Sequence, residues 1–342
     1  MKNIAVVILN WNGIGFLQNF LPSVIQYTDH HLADIYVADN GSTDRSMEWL
    51  SEIHPDVKTI ILGENYGFAQ GYNLALQQIS APYYLLLNSD IEVTENWLEP
   101  MYRIMESDQN IAACMPKIKA FHTKSHFEYA GAAGGYIDKY GFPFCRGRIF
   151  HHIEEDHGQY DDTREVFWAS GACLLIRSDL YVKAGGLDPF FFAHMEEIDL
   201  CWRLKNMGYK IMFCHESTVF HLGGGTLPKK NHRKTYLNFR NNLILLIKNL
   251  TPRKYKRTLI TRTLLDKVAA FYFLAKLEIG GFHAVLKAYC SVLANLRRIR
   301  KSRQAIRKEI QLSHHDEIYP KSIVLHFFLK GKRKFKDLPR YF

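Results

Sequence analysis

Polar side chains end an apolar run that has the length and composition of a buried strand. Residues 83–87 are Tyr-Tyr-Leu-Leu-Leu, and Asn88, Ser89 and Asp90 follow them directly. Residues two apart on an extended chain point to the same side. Asn88 and Asp90 therefore face one small volume at the carboxyl edge of the predicted sheet, where open α/β sheets bind ligands. A divalent cation that carries phosphates is typically held by one or two carboxylates. Asp90 is thus a candidate metal ligand, and a polar turn is the alternative interpretation.

A second group of side chains suited to chemistry stands at the start of a predicted helix. Glu196, Glu197 and Asp199 follow the aromatic run at residues 190–192. Asp199 is explained by the helix dipole and by an i, i+4 pair with Arg203. Glu196 and Glu197 are not explained in this way. Crowding of like charges against a partly dry aromatic patch raises a carboxyl pKa toward the values that a general base needs.

Asp39 ends another apolar run and precedes Asn-Gly-Ser-Thr-Asp. Its carboxylate can accept a hydrogen bond from a ribose hydroxyl or a base N–H, although Asp-Asn-Gly is also strong turn chemistry. Gly13 and Gly15 suggest a dinucleotide-binding loop, but Gln18 stands where that fingerprint requires its third glycine. The sequence therefore argues against a Rossmann dehydrogenase.

His221 stands before the glycine-rich residues 222–226. Histidine is a common metal ligand, and glycines let backbone amides approach phosphate oxygens. A histidine beside a hinge is the alternative. Residues 168–177 predict a core strand, in which Gly171 would permit a close approach by a ligand.

A regular alternation of elements must position these side chains. Strands are predicted over residues 4–9, 33–38, 57–62 and 83–87, with helices over 16–27, after Ser42, and over 65–79. This alternation indicates βαβ units and a mainly parallel sheet. Residues 111–176 predict further strands and mobile loops, residues 167–176 among them as a buried strand. Helices are predicted over 196–207 and 236–249.

Composition limits the class of protein. With 342 residues and 47% apolar content the chain can bury a full core, and we expect one large domain and a smaller part. Six scattered cysteines without a Cys-x-x-Cys pair indicate reduced core residues in a cytosolic compartment rather than a zinc site. The apolar residues 4–9 are too short for a signal peptide. No run approaches the roughly 18 apolar residues of a membrane-spanning helix.

The last third of the chain differs in charge and pattern. Residues 226–342 hold 28 Lys and Arg against 6 Asp and Glu, whereas residues 1–225 are acidic. Within 264–296, apolar residues recur every three or four positions, which predicts an amphipathic helix or a helix pair broken near Gly280 and Gly281. Residues 297–308 form a dense basic run. Two interpretations follow: a region that lies on an anionic membrane surface, or a helical subdomain with a solvated basic face. No recognised nucleic-acid-binding module surrounds the basic run.

Taken in order, these motifs resemble those of family 2 glycosyltransferases of the GT-A fold, specifically the bacterial rhamnosyltransferase-like branch. The matching segments lie at residues 6–13, 37–44, 65–73, 85–90, 170–177, 190–203 and 221–226. The resemblance implies an α/β GT-A catalytic domain over 1–225 with a mainly parallel central sheet. A basic, helical and membrane-associating region would follow over 226–342.

The resemblance also implies residue roles. The donor nucleotide would be held by Asn10, Trp11, Asn12, Asp39, Asn65, Gly67, Asn73, Asn88, Ser89 and Asp90. Asp90 and His221 would bind a divalent metal, Mg²⁺ or Mn²⁺, and Trp168 and Gly171 would line the acceptor or sugar pocket. Two departures stand out. Asn88-x-Asp90 replaces the frequent Asp-x-Asp, and Glu197 occupies the position of the usual catalytic Asp, so Glu196 remains a competing base.

The implied activity is an inverting transfer of a sugar, with rhamnose suggested by the branch, from a nucleotide-diphosphate sugar. A saccharide or lipid-linked saccharide would accept it during cell-surface polysaccharide synthesis. The enzyme would sit in the cytoplasm, peripheral on the inner membrane, without a nucleic-acid partner. A non-catalytic nucleotide-sugar-binding scaffold and a sugar-nucleotidyltransferase are the alternatives. The latter needs a basic loop near the N-terminus, and residues 10–19 contain no Lys or Arg.

Overall fold

The computed structural model describes residues 2–223, 232–312 and 314–339 of the chain. The strands are β1 (Ile4–Asn10), β2 (Ala33–Asp39), β3 (Lys58–Ile61), β4 (Tyr83–Asn88), β5 (Ile91–Val93), β6 (Ile111–Ala120), β7 (Gly135–Asp138), β8 (Pro143–Cys145), β9 (Arg148–Ile149), β10 (His152–Ile153), β11 (Arg164–Val166), β12 (Cys173–Arg177), β13 (Lys210–His221) and β14 (Ile318–Tyr319). The helices are α1 (Ile14–Tyr27), α2 (Ser46–Ile53), α3 (Gly67–Leu76), α4 (Glu99–Ser107), α5 (Ser178–Lys183), α6 (Glu196–Asn206), α7 (His232–Asn249), α8 (Pro252–Ala275), α9 (Ile279–Ala294), α10 (Leu296–Lys308) and α11 (Ile323–Phe328).

The main sheet begins with four parallel strands in the order β3-β2-β1-β4. β1 and β4 are buried almost throughout, which is why they read as continuous apolar runs rather than alternating ones. The register pairs Asn10 with Asp39, and Leu9 with Asn88. The polar residues that end three neighbouring strands therefore lie at one edge of the sheet, as the strand pattern predicted.

Beyond β4 the sheet is mixed. β12 runs antiparallel to β4 and β6, and β13 runs parallel to β6. The register of β13 against β6 shifts between Cys214 and Thr218, and the strand ends at His221, which pairs with Ile91 of β5. Because Ile91 directly follows Asp90, this pairing brings His221 beside the predicted metal ligand.

A smaller sheet, in the order β10-β9-β8-β7-β14, draws its last strand from the C-terminal region. β14 pairs in parallel with β7, and the backbone N–H of Ile323 donates to the buried carboxylate of Asp138. The C-terminal region is thus not wholly helical, because part of it completes this sheet.

The change of charge near residue 225 is not a change of packing. The middle of α7, residues 243–247, is buried in the main core. Lys248 of α7 forms buried ion pairs with Asp188 and Asp199. The predicted boundary itself falls among residues 224–231, which lie outside the described residues. We conclude that α7 is structurally part of the catalytic unit.

Several predicted boundaries differ from the structure. The buried strand expected over residues 167–176 is confined to β12. The helix pair breaks at residues 276–278, so Gly280 and Gly281 lie inside α9. These glycines permit close packing instead: a Cβ on Gly281 would lie 2.8 Å from the ring of Phe273. Five of the six cysteines are buried as expected, but Cys290 is exposed. Among the described residues, no helix is both long and apolar enough to span a membrane.

Candidate active site

The loops after β1 and β2 are joined by asparagine side chains. Asn10 is fully buried and its amide donates to the hydroxyls of Ser42 and Ser46. Asn12 adopts a positive φ of 49°, and its carbonyl accepts from the backbone N–H of Thr43 at 2.7 Å. Trp11 between them is 50% exposed. The two asparagines therefore build the loop, and Trp11 is the side chain that the loop presents to solvent.

The remaining residues predicted to bind the nucleotide have different surroundings. Asp39 is buried and accepts from the backbone N–H of Ser42, which confirms its turn chemistry but leaves lone pairs for another donor. The carbonyl of Asn65 accepts from Gly67, whose φ of +75° suits glycine.

Asn73, also predicted to bind the nucleotide, uses both ends of its side chain within the protein. Its amide donates to the carbonyl of Leu187 at 2.7 Å, and its carbonyl accepts from the Tyr181 hydroxyl and from the backbone N–H of Leu187. Both ends of the side chain are thus used to hold the segment that leads to the aromatic run. These bonds occupy the polar atoms that a donor would use, and contact between Asn73 and the donor stays a prediction.

Asp90, His221 and Glu128 form a row of charges at the end of β13. Nε2 of His221 lies 3.2 Å from Oδ1 of Asp90, and Nδ1 lies 3.3 Å from Oε2 of Glu128. Burial alone would lower the pKa of His221, but the two carboxylates raise it to about 10. Burial opposes ionisation of Asp90 and Glu128 as well. The hydrogen bond and charge of His221 outweigh it and keep the pKa of both carboxyls below their ordinary values.

Asp90 is less accessible than its predicted role suggests. Its side chain is only 12% exposed, and its backbone carbonyl accepts from Leu222. The glycine-rich loop therefore begins directly over this carboxylate. Residues 224–226 of that loop lie outside the described residues. Asn88 and Ser89, by contrast, are half-buried beside it.

A continuous series of contacts joins Asp90 to the acidic pair. Beyond His221, Glu128 accepts from the backbone N–H of Ala130, and the carbonyl of Ala130 accepts from the hydroxyl of Ser170. The next residue is Gly171, where a Cβ would lie 3.5 Å from Cβ of Glu197 and 3.6 Å from the ring of Phe68. The structure thus brings Asp90, Gly171 and Glu197 into one region.

Glu196 and Glu197 carry no compensating charge in the part of the chain that the structure describes. Glu196 is buried and Glu197 is partly exposed, and one oxygen of each, Oε2, is buried without a hydrogen-bond donor among those residues. Burial raises the pKa of Glu197 to about 7. Burial, with the charges of Glu197 and Asp199, raises the pKa of Glu196 well above its ordinary value. Carboxyls in this state can exchange protons near neutral pH.

Asp199 has the opposite surroundings although it lies less than one turn away. Its carboxylate accepts from Arg203, Lys248 and Asn249, each at 2.8 Å, and is fully buried. Burial opposes its ionisation, but these partners keep its pKa below the ordinary value. The predicted pair with Arg203 is confirmed, and Asp199 is a structural anion.

The segment that precedes α6 is strained. Phe192, His194 and Met195 all have φ between 68° and 74°, a backbone region that residues other than glycine rarely adopt. The amide of Asn241 in α7 donates to the carbonyls of residues 191, 193 and 194 at 2.8–3.0 Å. Asn241 thereby fixes the conformation that places the acidic pair.

Sequence reasoning missed some of these residues and misplaced another. Glu128 had no periodic or motif signal that separated it from other polar residues. Asn241 fits the family pattern together with Tyr236 and Arg240, but no role was predicted for it. Trp168 was expected in the sugar pocket, but it is buried in the core, where its indole N–H donates to the carbonyl of Tyr136. Trp168 is 3% exposed and offers almost no surface to a sugar, whereas Gly171 lies beside Glu197.

Comparison with known proteins shows the family and the fold of this chain. The profile of Glycosyl transferase family 2 matches residues 5–183. The low-salt glycan biosynthesis hexosyltransferase Agl10 of Haloferax volcanii is 23% identical over 257 residues, which cover 71% of this chain and 75% of the relative. The N-acetylglucosaminyl-diphospho-decaprenol L-rhamnosyltransferase of Mycobacterium tuberculosis is 23% identical over 233 residues, which cover 64% of this chain and 75% of the relative.

Solved structures share the fold. TarS 1-349 of S. aureus, in complex with UDP-GlcNAc, matches with a TM-score of 0.57 at 12% identity, over 90% of this chain and 88% of that chain. The mannosyltransferase PcManGT from Pyrobaculum calidifontis, in complex with GDP-Man and Mn²⁺, matches with a TM-score of 0.51 at 13% identity, over 90% of this chain and 86% of that chain. Together with the profile, which spans more than half of the residues, they show that the chain belongs to glycosyl transferase family 2 and is a glycosyltransferase of the GT-A fold.

Proposed function

We propose that this enzyme transfers a sugar from a nucleotide-diphosphate sugar with inversion, and that Glu197 is the catalytic base. The observation that carries the proposal is the state of this carboxyl. It is partly exposed, it forms no ion pair with any described residue, and burial raises its pKa to about 7. Such a group is ionised in a large fraction of molecules at neutral pH and is still basic enough to accept a proton.

The reaction follows from that role. The acceptor oxygen attacks the anomeric carbon from the side opposite the diphosphate, and its proton passes to the Glu197 carboxylate. The bond between the anomeric carbon and the diphosphate oxygen breaks, and its electron pair leaves with the diphosphate. The transition state has oxocarbenium character, as in other glycosyl chemistry. Glu196, whose pKa burial raises well above its ordinary value, remains the competing base.

The donor nucleotide would lie along the sheet edge formed by the ends of β1, β2 and β4. Trp11 offers an exposed ring for stacking, and Asp39 retains lone pairs for a ribose hydroxyl or a base N–H. Asn10 and Asn12 hold the loop in shape, and Asn65 and Gly67 would form the opposite wall.

The residues at the end of β13 fit a divalent cation that the donor helps to hold. Asp90 offers a carboxylate oxygen, and His221 would offer Nε2, 3.2 Å away, once the cation has displaced the proton from that nitrogen. Glu128 contacts the other imidazole nitrogen and would hold the ring in this orientation. Within the described residues, no group of three or more His, Cys, Asp and Glu side chains forms a closed cage. Diphosphate oxygens would therefore complete the coordination of Mg²⁺ or Mn²⁺. When bound, the cation neutralises charge on the departing diphosphate.

The substrates are proposed from the relatives. The mycobacterial relative is named for L-rhamnose transfer to a diphospholipid-linked sugar, and the archaeal one for hexose transfer in glycan biosynthesis. We propose rhamnose or another hexose as the transferred sugar, and a saccharide or lipid-linked saccharide as the acceptor in cell-surface polysaccharide synthesis. The enzyme would work as a peripheral protein at the cytoplasmic face of the inner membrane.

Thermal unfolding with a panel of nucleotide-diphosphate sugars, each with and without Mg²⁺ or Mn²⁺, tests the proposal. A ligand that binds the folded state raises Tm. We expect the correct donor to raise Tm only when metal is present, and Asp90→Asn to remove this increment. Asp108→Asn is the matched control, because Asp108 is a surface residue paired with Lys210. Metal-dependent stabilisation that survives in Asp90→Asn would contradict the metal site.

A further inference from the structure

Helix α8 buries a polar face and exposes an apolar one. Thr258, Arg262 and Asp266, which follow one another at intervals of four residues, are buried against the rest of the protein. On the opposite face, four apolar side chains spaced three or four residues apart are 57–67% exposed: Ile260, Leu264, Val268 and Phe271. A helix that packs on a protein in water normally buries its apolar face and exposes its polar one.

The buried polar face is what fixes the helix in this orientation. Arg262 donates to Asp266 at 2.8 Å and also to the side chain of Asn242 in α7. Asp266 accepts in addition from the Tyr289 hydroxyl of α9 at 2.9 Å. Because these groups are paired within the protein, rotating α8 would separate Arg262 and Asp266 from their partners in α7 and α9. The outward apolar face is therefore a built feature of the fold.

Helix α9 follows α8 after a three-residue turn, and we call the two helices the α8–α9 hairpin. Like α8, α9 is apolar on its outer side. Ile279, Leu286 and Leu293 are exposed and recur every seven residues, which keeps them on one side of α9. Cys290 is exposed between the last two. At the tip of the hairpin, Leu277 is 85% exposed. Exposed apolar surface of this extent marks an interaction site.

Charge decides which partner covers this surface. Residues 252–294 contain eight Lys and Arg but only two acidic residues, Asp266 and Glu278. Asp266 is already paired inside the protein. The exposed Lys256, Arg257 and Lys267 lie on the outer side of α8, beside its apolar stripe. A second copy would bring like charges together, whereas an anionic bilayer attracts basic residues next to a buried apolar face.

We infer that the α8–α9 hairpin docks on an anionic lipid surface, with the outer face of α8 inserted at the boundary between head groups and acyl chains. This inference rests on the peripheral location proposed above and names the surface responsible for it. It does not depend on the sugar-transfer chemistry.

Co-sedimentation of the full chain with vesicles tests the inference. Vesicles of phosphatidylcholine alone are compared with vesicles that also contain phosphatidylglycerol. We expect the protein to partition onto the anionic vesicles, and Ile260→Gln/Leu264→Gln/Phe271→Gln to lower the partition coefficient about ten-fold or more. The matched control is Ile53→Gln/Val182→Gln, which removes two equally exposed apolar side chains of α2 and α5. This control should bind vesicles as the unaltered chain does.

Each of the other possible results would contradict a particular part of the inference. If the unaltered chain binds and the triple variant binds equally, the hairpin is not the docking surface, although the peripheral location stands. If the unaltered chain does not bind, the docking surface and the peripheral location are both wrong, whereas the proposed transfer chemistry is not affected. If it forms a dimer that the triple variant abolishes, without vesicle binding, a second copy covers the face instead.

Cys290 provides a readout that needs no substitution. It is exposed while the other five cysteines are buried, so a thiol-reactive, environment-sensitive fluorophore labels α9 selectively. On adding anionic vesicles, we expect its emission to shift to shorter wavelength as the label enters an apolar environment. An unchanged spectrum in vesicle-bound protein would overturn the orientation proposed for the hairpin.

Discussion

The start of α6 and the end of β13 use similar residues in opposite ways. At the end of β13, Asp90 and Glu128 flank an imidazole, and each carboxyl has its pKa lowered by that partner against the effect of burial. At the start of α6, Glu196 and Glu197 form no ion pair with a described residue, and burial raises the pKa of both. Charge compensation thus separates a cluster that keeps charge from one that holds a proton near neutral pH.

Asp199 shows that the difference is local. It lies in the same helix as the acidic pair, yet Lys248, Arg203 and Asn249 surround it. The cations Lys248 and Arg203 therefore contact Asp199, on the inner side of α6, and not the acidic pair. The four predictions below test this division.

The largest effect is expected at Glu197. Glu197→Gln keeps the shape of the side chain but cannot accept the proton, so kcat should fall about 10²- to 10⁴-fold. Donor affinity, measured by calorimetry, should change little. Glu196→Gln is the matched comparison on the neighbouring residue. A greater loss of kcat in Glu196→Gln than in Glu197→Gln would transfer the role of base to Glu196.

Removal of the cation that serves Asp199 should destabilise the fold. Lys248→Met leaves Asp188 without its cation and Asp199 with Arg203 as its remaining cation, so one negative charge in this network is uncompensated. The free energy of unfolding should fall by about 3–5 kcal/mol. Lys210→Met is the control. It breaks a surface pair with Asp108, which should cost less than about 1 kcal/mol. Equal losses in urea unfolding would mean that the buried network contributes no more than a surface pair.

The clamp on the strained segment should affect both stability and rate. Asn241→Leu leaves three backbone carbonyls without their donor, at a cost of about 1–3 kcal/mol, and kcat should fall because the acidic pair is no longer fixed. Asn242→Leu is the control in the same helix, since Asn242 donates to Gly141 and does not contact the segment. It should lose stability but keep kcat. A similar kcat in both variants would remove the positioning role of Asn241.

The smallest effect is a dependence on pH. A pKa of Glu197 near 7 means that the proton-accepting form is fully present well above pH 7 and is lost as the pH falls. Below about pH 7, kcat/KM should therefore drop about tenfold per pH unit. A profile that stays flat down to pH 5 would contradict the raised pKa. The neighbouring Asp199, with its lowered pKa, cannot produce such a limb in this range.

Strand-end logic predicted much of the site, because the parallel register of β1, β2 and β4 follows from their apolar runs. Asn10, Asp39 and Asn88 could thus be placed at one edge from the sequence. Glu128 could not, since it lies in an irregular segment whose path is set by contacts with His221 and Ala130. The internal hydrogen bonds of Asn73 and Trp168 could not be foreseen, because a motif position does not show whether a polar atom already has a partner within the protein.

The C-terminal helices show a different limit of periodic patterns. The recurrence of apolar residues in 264–296 predicted amphipathic helices, and two helices are observed. The pattern gave no information on which face of α8 points inward. That choice depends on Arg262, Asp266 and Tyr289, whose pairing is visible only when three helices are assembled.

The amide of Asn241 has a practical consequence for anyone who shortens this protein. The family profile ends at residue 183, before the acidic pair, and the change from acidic to basic composition near residue 225 suggests a second point at which to truncate the chain. A fragment made at either point would lack the three hydrogen bonds that shape the backbone ahead of Glu196, and also the lysine that neutralises Asp199. Smaller versions intended for crystallisation or for transplanting the activity should therefore retain α7 through Asn249.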